Sequence, residues 1–102
     1  MRIIAPSTIA KWGKEHPRAK ERLESWLTTT ENAVWSHPPD MKEAFPSVDP
    51  ITVKSGKTVY VFNIRQNEFR LVCAIHFNTG LVYTLRFMIH KEYQRGDWKK
   101  EL

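Results

Sequence analysis

Two runs of alternating residues, RLVCAIHF (Arg70 to Phe77) and LVYTLRFMI (Leu81 to Ile89), flank the short link Asn78-Thr79-Gly80 and predict an antiparallel hairpin. A three-residue loop with Gly80 in the left-handed conformation pairs Phe77 with Leu81. It follows that Ile75 lies opposite Tyr83, Cys73 opposite Leu85 and Leu71 opposite Phe87, all on one apolar face. On the other face Arg70 stands against Met88, Val72 against Arg86, Ala74 against Thr84 and His76 against Val82, with His90 continuing the row. That second face is expected to be open, with Arg70, Arg86, His76 and His90 set among small or apolar residues. Guanidinium groups on such a face can bind phosphate bidentately. The same pattern also fits the ordinary polar side of a one-sided antiparallel sheet.

The rest of the chain supplies a cover for the apolar face. Arg2 to Ala5 is a short apolar run, readable as an edge strand broken by Pro6. Ser7 is placed to cap a first helix with Ile9 and Trp12 facing inward, and Pro17 to open a second. In that second helix Ala19, Leu23, Trp26 and Leu27 share a face, while Lys20, Glu21 and Glu24 point away. From Ser36 to Pro50 the prolines Pro38, Pro39, Pro46 and Pro50 predict a long connection with one helical turn at Met41 to Phe45. Ser55-Gly56 reads as a turn before a strand from Lys57 to Ile64. HKEYQRGDWKKEL, from His90 onward, reads as a short helix interrupted near Gly96, with Trp98 packing back on the sheet. The expected class is α+β: two N-terminal helices on a small antiparallel sheet of three or four strands, a short C-terminal helical segment, and one domain over residues 1–102.

Charge is uneven along the chain. Residues 1–50 hold seven Lys/Arg against seven Asp/Glu, and residues 51–102 hold nine against four, so the whole net +5 falls in the second half. A basic surface of this kind favours nucleic acid or an acidic protein as partner. No apolar run approaches the roughly 20 residues that span a membrane, and no secretory leader is evident, so a cytosolic protein without membrane contact is expected. The single cysteine, Cys73, lies in an apolar strand and reads as a small buried hydrophobe.

No HExxH, CxxC, P-loop or GxSxG pattern is present, and His16, His37, His76 and His90 lack close metal-ligand spacing. No metal and no cofactor is expected. The chemistry that fits is cleavage of RNA by its own 2′-hydroxyl, which requires a base, an acid for the leaving oxygen, and cations for the phosphoryl charge. His90 and Tyr93 are candidates for the proton transfers, and Arg70 for the phosphate clamp.

FNI at Phe62 to Ile64, then Asn67, FRL at Phe69 to Leu71 and HKEY at His90 to Tyr93 together resemble the HigB toxins of bacterial toxin-antitoxin systems, as does FPSVDP at Phe45 to Pro50. The resemblance covers nearly the whole chain. It implies a RelE-like fold and a metal-independent mRNA endoribonuclease acting on translating ribosomes. It also implies a cognate HigA-like helix-turn-helix antitoxin, through which the pair contacts operator DNA. By the same resemblance Arg70, His90 and Tyr93 are the catalytic candidates, and Arg65, Asn67, Arg86 and Lys91 the candidates for holding RNA. The chain departs from the family's usual residues at Ile89 (threonine), Gln94 (aspartate) and Leu85 (arginine, with Arg86 one place later). Two other functions remain open on the residues alone: a ParE-like toxin that binds a protein such as DNA gyrase, and a non-catalytic RNA-binding module.

Overall fold

The structure, a computed structural model, covers residues 1–102. Strand β1 (Arg2–Ile4) leads into helix α1 (Ser7–Glu15), a 3₁₀ turn at Pro17–Ala19 and helix α2 (Lys20–Asn32). Helix α3 (Pro38–Ala44) follows, then strands β2 (Asp49–Thr52), β3 (Thr58–Ile64), β4 (Phe69–His76) and β5 (Leu81–Ile89), and finally helices α4 (His90–Arg95) and α5 (Trp98–Glu101).

The expected inward stripe of α2 is present: Ala19, Leu23 and Trp26 are buried, with Thr30 one turn further on. Ser7 does not cap α1. Pro6 takes that position with an already helical φ of −61°, and no side chain caps the helix. The helical turn expected at Met41 to Phe45 begins earlier, because Pro38 and Pro39 sit in the first turn of α3, where missing N–H groups cost nothing.

The sheet differs from expectation in size and sense. It has five strands in the order β1-β5-β4-β3-β2, and β1 runs parallel to β5, with Ile3 opposite Val82, so the sheet is mixed. The fifth strand, β2, lies within and beyond the stretch expected to be irregular. Pro50 stands opposite Tyr60 at the sheet's edge, a position that tolerates a residue with no N–H to donate. The class remains α+β.

The hairpin register is half as expected. Arg70 pairs with Met88, Leu71 with Phe87 and Val72 with Arg86, but beyond them Cys73 pairs with Thr84, Ala74 with Tyr83, Ile75 with Val82 and His76 with Leu81. The connecting loop is four residues, Phe77 to Gly80, with Gly80 at φ +71° as anticipated. Leu85 is therefore an extra residue in β5, a bulge that puts Leu85 and Arg86 on the same side of the sheet. Tyr83 and Leu85, expected on the helix-covered face, are on the other.

Each face of the sheet carries a core. On one, Ile9, Leu23 and Trp26 pack against Phe62, Ile64, Phe69, Leu71 and Cys73. On the other, Val59, Val61, Val72 and Met88 lie with Trp98, and Leu85 and Leu102 pack at the margin. The second face is thus not fully open. Helix α5 folds over its middle, fixed by Lys54 N–H, which donates to Lys99 O at 3.1 Å, and by Trp98 Nε1, which donates to Tyr93 O at 3.2 Å.

Candidate active site

Arg70 is the centre of the charged part of the second face. Its neighbours Phe69 and Leu71 point to the helices and are buried, and Phe69 stacks on Phe87 with centroids 5.2 Å apart. Alternation along β4 then sends the Arg70 side chain the other way, and it is only 7% exposed. Nη1 donates to Phe69 O at 3.1 Å and Nη2 to Asn67 Oδ1 at 3.3 Å. The guanidinium carbon lies 5.3 Å from the centroid of the Tyr93 ring. No carboxylate is in ion-pair contact with it.

A buried guanidinium with only neutral partners is costly. Desolvating such a cation costs several kcal/mol, and an aromatic face returns about 1–2. An anion arriving beside Arg70 meets a cation that is already stripped of water and uncompensated.

Asn67 belongs to the tight loop Arg65 to Glu68 that joins β3 to β4. Arg65 and Gln66 take left-handed φ values of 53° and 58°, at a cost of roughly 1–2 kcal/mol each for residues with a Cβ. Glu68 ties this loop down. Its Oε1 accepts from Arg65 Nη1 at 2.6 Å and from Arg18 Nη2 at 2.9 Å, and its backbone carbonyl accepts from His90 N–H at 3.0 Å. One residue thus links the β3–β4 loop, the 3₁₀ turn before α2 and the start of α4. Among the expected RNA contacts, Arg65 is occupied by Glu68, and Asn67 is bonded directly to Arg70.

Tyr93, on α4, is half-buried. Burial holds its phenol above the usual tyrosine range, the negative charge of Asp49 adds to this, and Arg70 partly opposes it. At neutral pH the group is a phenol with a proton to give. His90, the first residue of α4, has a buried Nδ1 without a partner. Lys91 is exposed on the same helix.

Arg86 and His76 make no contact with this group among the hydrogen bonds and ion pairs of the site. Arg86 donates to Leu85 O at 2.8 Å and faces Glu101 at 3.8 Å, in a hollow lined by Met88, Glu92, Asp97 and Trp98. His76 packs edge-on to Tyr83 with centroids 5.4 Å apart, about 20 Å along β4 from Arg70 at the usual rise per residue.

Two residues were not singled out from sequence. Glu68 carried no signal beyond being the one acidic group between Arg65 and Arg70. Asp49 falls in the stretch expected to be irregular, yet as the first residue of β2 it stands opposite Val61, on the Arg70 side of the sheet. The alternation Asp49, Ile51, Val53 was the available clue, masked by Pro50.

At the other two positions of departure, Ile89 precedes α4 with extended backbone and donates its N–H to Glu92 Oε1 at 3.3 Å, but has no oxygen with which to cap the helix. Gln94 is exposed. No three His, Cys, Asp or Glu side chains converge to hold a metal. The charge offered to a ligand here comes from Arg70.

A family model described as "HigB_toxin, RelE-like toxic component of a toxin-antitoxin system" matches residues 19–96. The "mRNA interferase toxin HigB" of Escherichia coli (strain K12) is 30% identical over 93 residues, covering 91% of this chain and 88% of that protein. The "mRNA interferase HigB" of Shigella flexneri matches to the same extent. A protein of the same name from Escherichia coli O6:H1 is 24% identical over 95 residues, covering 93% of this chain and 90% of its own length.

Proposed function

The chain belongs to the HigB toxin family, the RelE-like toxic components of toxin-antitoxin systems, and on that premise we propose that it is an mRNA interferase that cuts mRNA on translating ribosomes by attack of the 2′-hydroxyl on the adjacent phosphorus. Relatives named mRNA interferases, similar over nine-tenths of the chain, support the activity. The observation that carries the reading is Arg70: buried, paired only with neutral groups, and next to a tyrosine kept protonated.

In this mechanism Arg70 binds the scissile phosphate and gains as negative charge builds on its oxygens, the situation in which a preorganised donor in a desolvated site contributes most. Asn67 holds the guanidinium in place. Tyr93 protonates the departing 5′-oxygen. His90 lies at the start of α4 within the same group of elements, Lys91 supplies charge at the rim for flanking phosphates, and Arg65 joins it on release from Glu68. Arg86, held by Glu101, contributes to RNA binding from the neighbouring hollow. The partner is a cognate HigA-like antitoxin with a helix-turn-helix domain, through which the complex reaches operator DNA.

A gyrase-binding poison has no need of a desolvated cation beside a proton donor. A non-catalytic RNA-binding module would place its cations at the surface, where Arg70 is not. The discriminating experiment induces wild type and Arg70→Ala in cells and maps new 5′ ends by primer extension with and without ongoing translation. Cuts within translated frames that disappear in the variant are expected. Growth arrest with intact transcripts would overturn the nuclease reading in favour of a protein target.

A further inference from the structure

The site described so far has a phosphate clamp and a proton donor but no clear proton acceptor. Arg70 does not give up its proton, and Tyr93 keeps its own near neutrality. Asn67, and Asn63 opposite Arg70 on β3, have no basic group. His90, with its Nδ1 buried and unpartnered, has only Nε2 to offer. Val61, Val72 and Met88 on this part of the face are apolar, and of the carboxylates in the hollow beyond Met88, Glu92 accepts from Ile89 N–H and Glu101 faces Arg86.

Asp49 fills the gap. It pairs with Val61, and Val61 with Val72, so side-chain alternation puts the Asp49 carboxylate on the same face as Val72 and, two residues along β4, Arg70. Strand spacing and rise set the Cα atoms of Asp49 and Arg70 about 12 Å apart, with β3 between them. Asp49 is exposed and engaged in no ion pair. Its charge raises the Tyr93 pKa while that of Arg70 lowers it, and the Arg70 guanidinium carbon stands 5.3 Å from the centroid of the Tyr93 ring. Pro50 immediately follows and leaves the sheet edge without a donor there, so the edge is closed to another strand while the carboxylate stays accessible.

We infer that Asp49 is the proton acceptor for the attacking 2′-hydroxyl of RNA, an assignment that rests on the nuclease reading above. The 2′-hydroxyl proton passes to a carboxylate oxygen of Asp49 as the 2′-oxygen bonds to phosphorus. The bond from phosphorus to the 5′-oxygen breaks, and that oxygen takes the Tyr93 proton. The products are a 2′,3′-cyclic phosphate and a 5′-hydroxyl, and the two side chains exchange protons with water to reset.

The test uses ribosomes programmed with mRNA whose scissile 5′-oxygen is replaced by sulfur, a leaving group that departs without a proton. Loss of a general acid or base costs about 10²- to 10⁴-fold. Tyr93→Phe is expected to lose that much on the oxygen substrate and to recover on the sulfur substrate. Asp49→Asn is expected to lose as much on both, with unchanged melting temperature, and Asp49→Glu to restore part of the rate. Asp49→Asn within about threefold of wild type on the oxygen substrate would overturn the assignment, as would its rescue by sulfur. Unrescued loss in His90→Gln alongside an active Asp49→Asn would transfer the role to His90 and refute it for Asp49. In these last three cases the wild type still cuts, so the nuclease reading survives; a wild type that cuts neither substrate would sink that reading and this assignment with it.

Discussion

Arg70→Met should separate what Arg70 does for the fold from what it does for a ligand. The arginine is 7% exposed, with two hydrogen bonds and one aromatic face as its partners. Those contacts offset the several kcal/mol of desolvating the cation, and little surplus is left. Methionine has a similar reach, needs no partner, and gains roughly 1.5–3 kcal/mol by burial against Val72 and Met88. The carbonyl of Phe69 and the amide of Asn67 lose a donor, which costs about 1 kcal/mol because Asn67 is exposed and can turn to water. The net expectation is a stabilisation of about 1 kcal/mol. For a chain of this size that raises the melting temperature by about 4–8 °C. Thermal unfolding followed by circular dichroism measures this, and RNA cleavage by the same preparation should be undetectable. A fall in stability of more than about 2 kcal/mol would refute the reasoning, because it would make the guanidinium a structural strut rather than a group held ready for an anion.

Asn67→Ala removes the long 3.3 Å bond that orients Arg70, and a loss of about tenfold in kcat/KM is expected, with stability within about 1 kcal/mol of wild type; unchanged cleavage would show that Arg70 needs no such guide. Tyr93 should ionise above the usual tyrosine range in an ultraviolet titration, by difference against Tyr93→Phe, with Asp49→Asn moving its transition down and Arg70→Met moving it up. Because the folded-state pKa is raised, the unfolded chain loses this proton first. The contribution to stability is therefore present below about pH 10 and declines as pH rises through the folded value, which high-pH denaturant titrations would register as a falling midpoint absent in Tyr93→Phe. Ile89→Thr supplies the missing cap of α4 at an exposed site with extended backbone, and should stabilise the protein by about 0.5–1 kcal/mol in chemical denaturation.

Local pattern made some parts of this structure legible. The stripe Ala19, Leu23, Trp26 declared the buried side of α2, and the alternation around Arg70 correctly set it opposite Met88 with Val72 opposite Arg86. The surroundings of Arg70 were therefore readable in outline. Other features are set by interactions between distant segments. The bulge at Leu85 lets a four-residue loop join two strands whose far ends keep the original register, and period-two alternation cannot reveal where that extra residue sits. The parallel pairing of β1 with β5 joins residues 2–4 to residues 81–83, and a three-residue strand carries no sign of so distant a partner. Asp49 was hidden because prolines on either side read as irregular structure, although an edge strand accommodates Pro50. Glu68 became visible only once the loop folded between Arg18, Arg65 and His90.

Attack by the 2′-hydroxyl is the core of this account, and the ends of the cut RNA test it most directly. Purified protein is incubated with ribosomes translating an mRNA that carries either ribose or 2′-deoxyribose at the cut position, and the fragment ends are identified by mass spectrometry. A 2′,3′-cyclic phosphate and a 5′-hydroxyl are expected from the ribose substrate, with no cut at the deoxy position. Cleavage that persists at the deoxy position, or fragments bearing a 5′-phosphate, would contradict it.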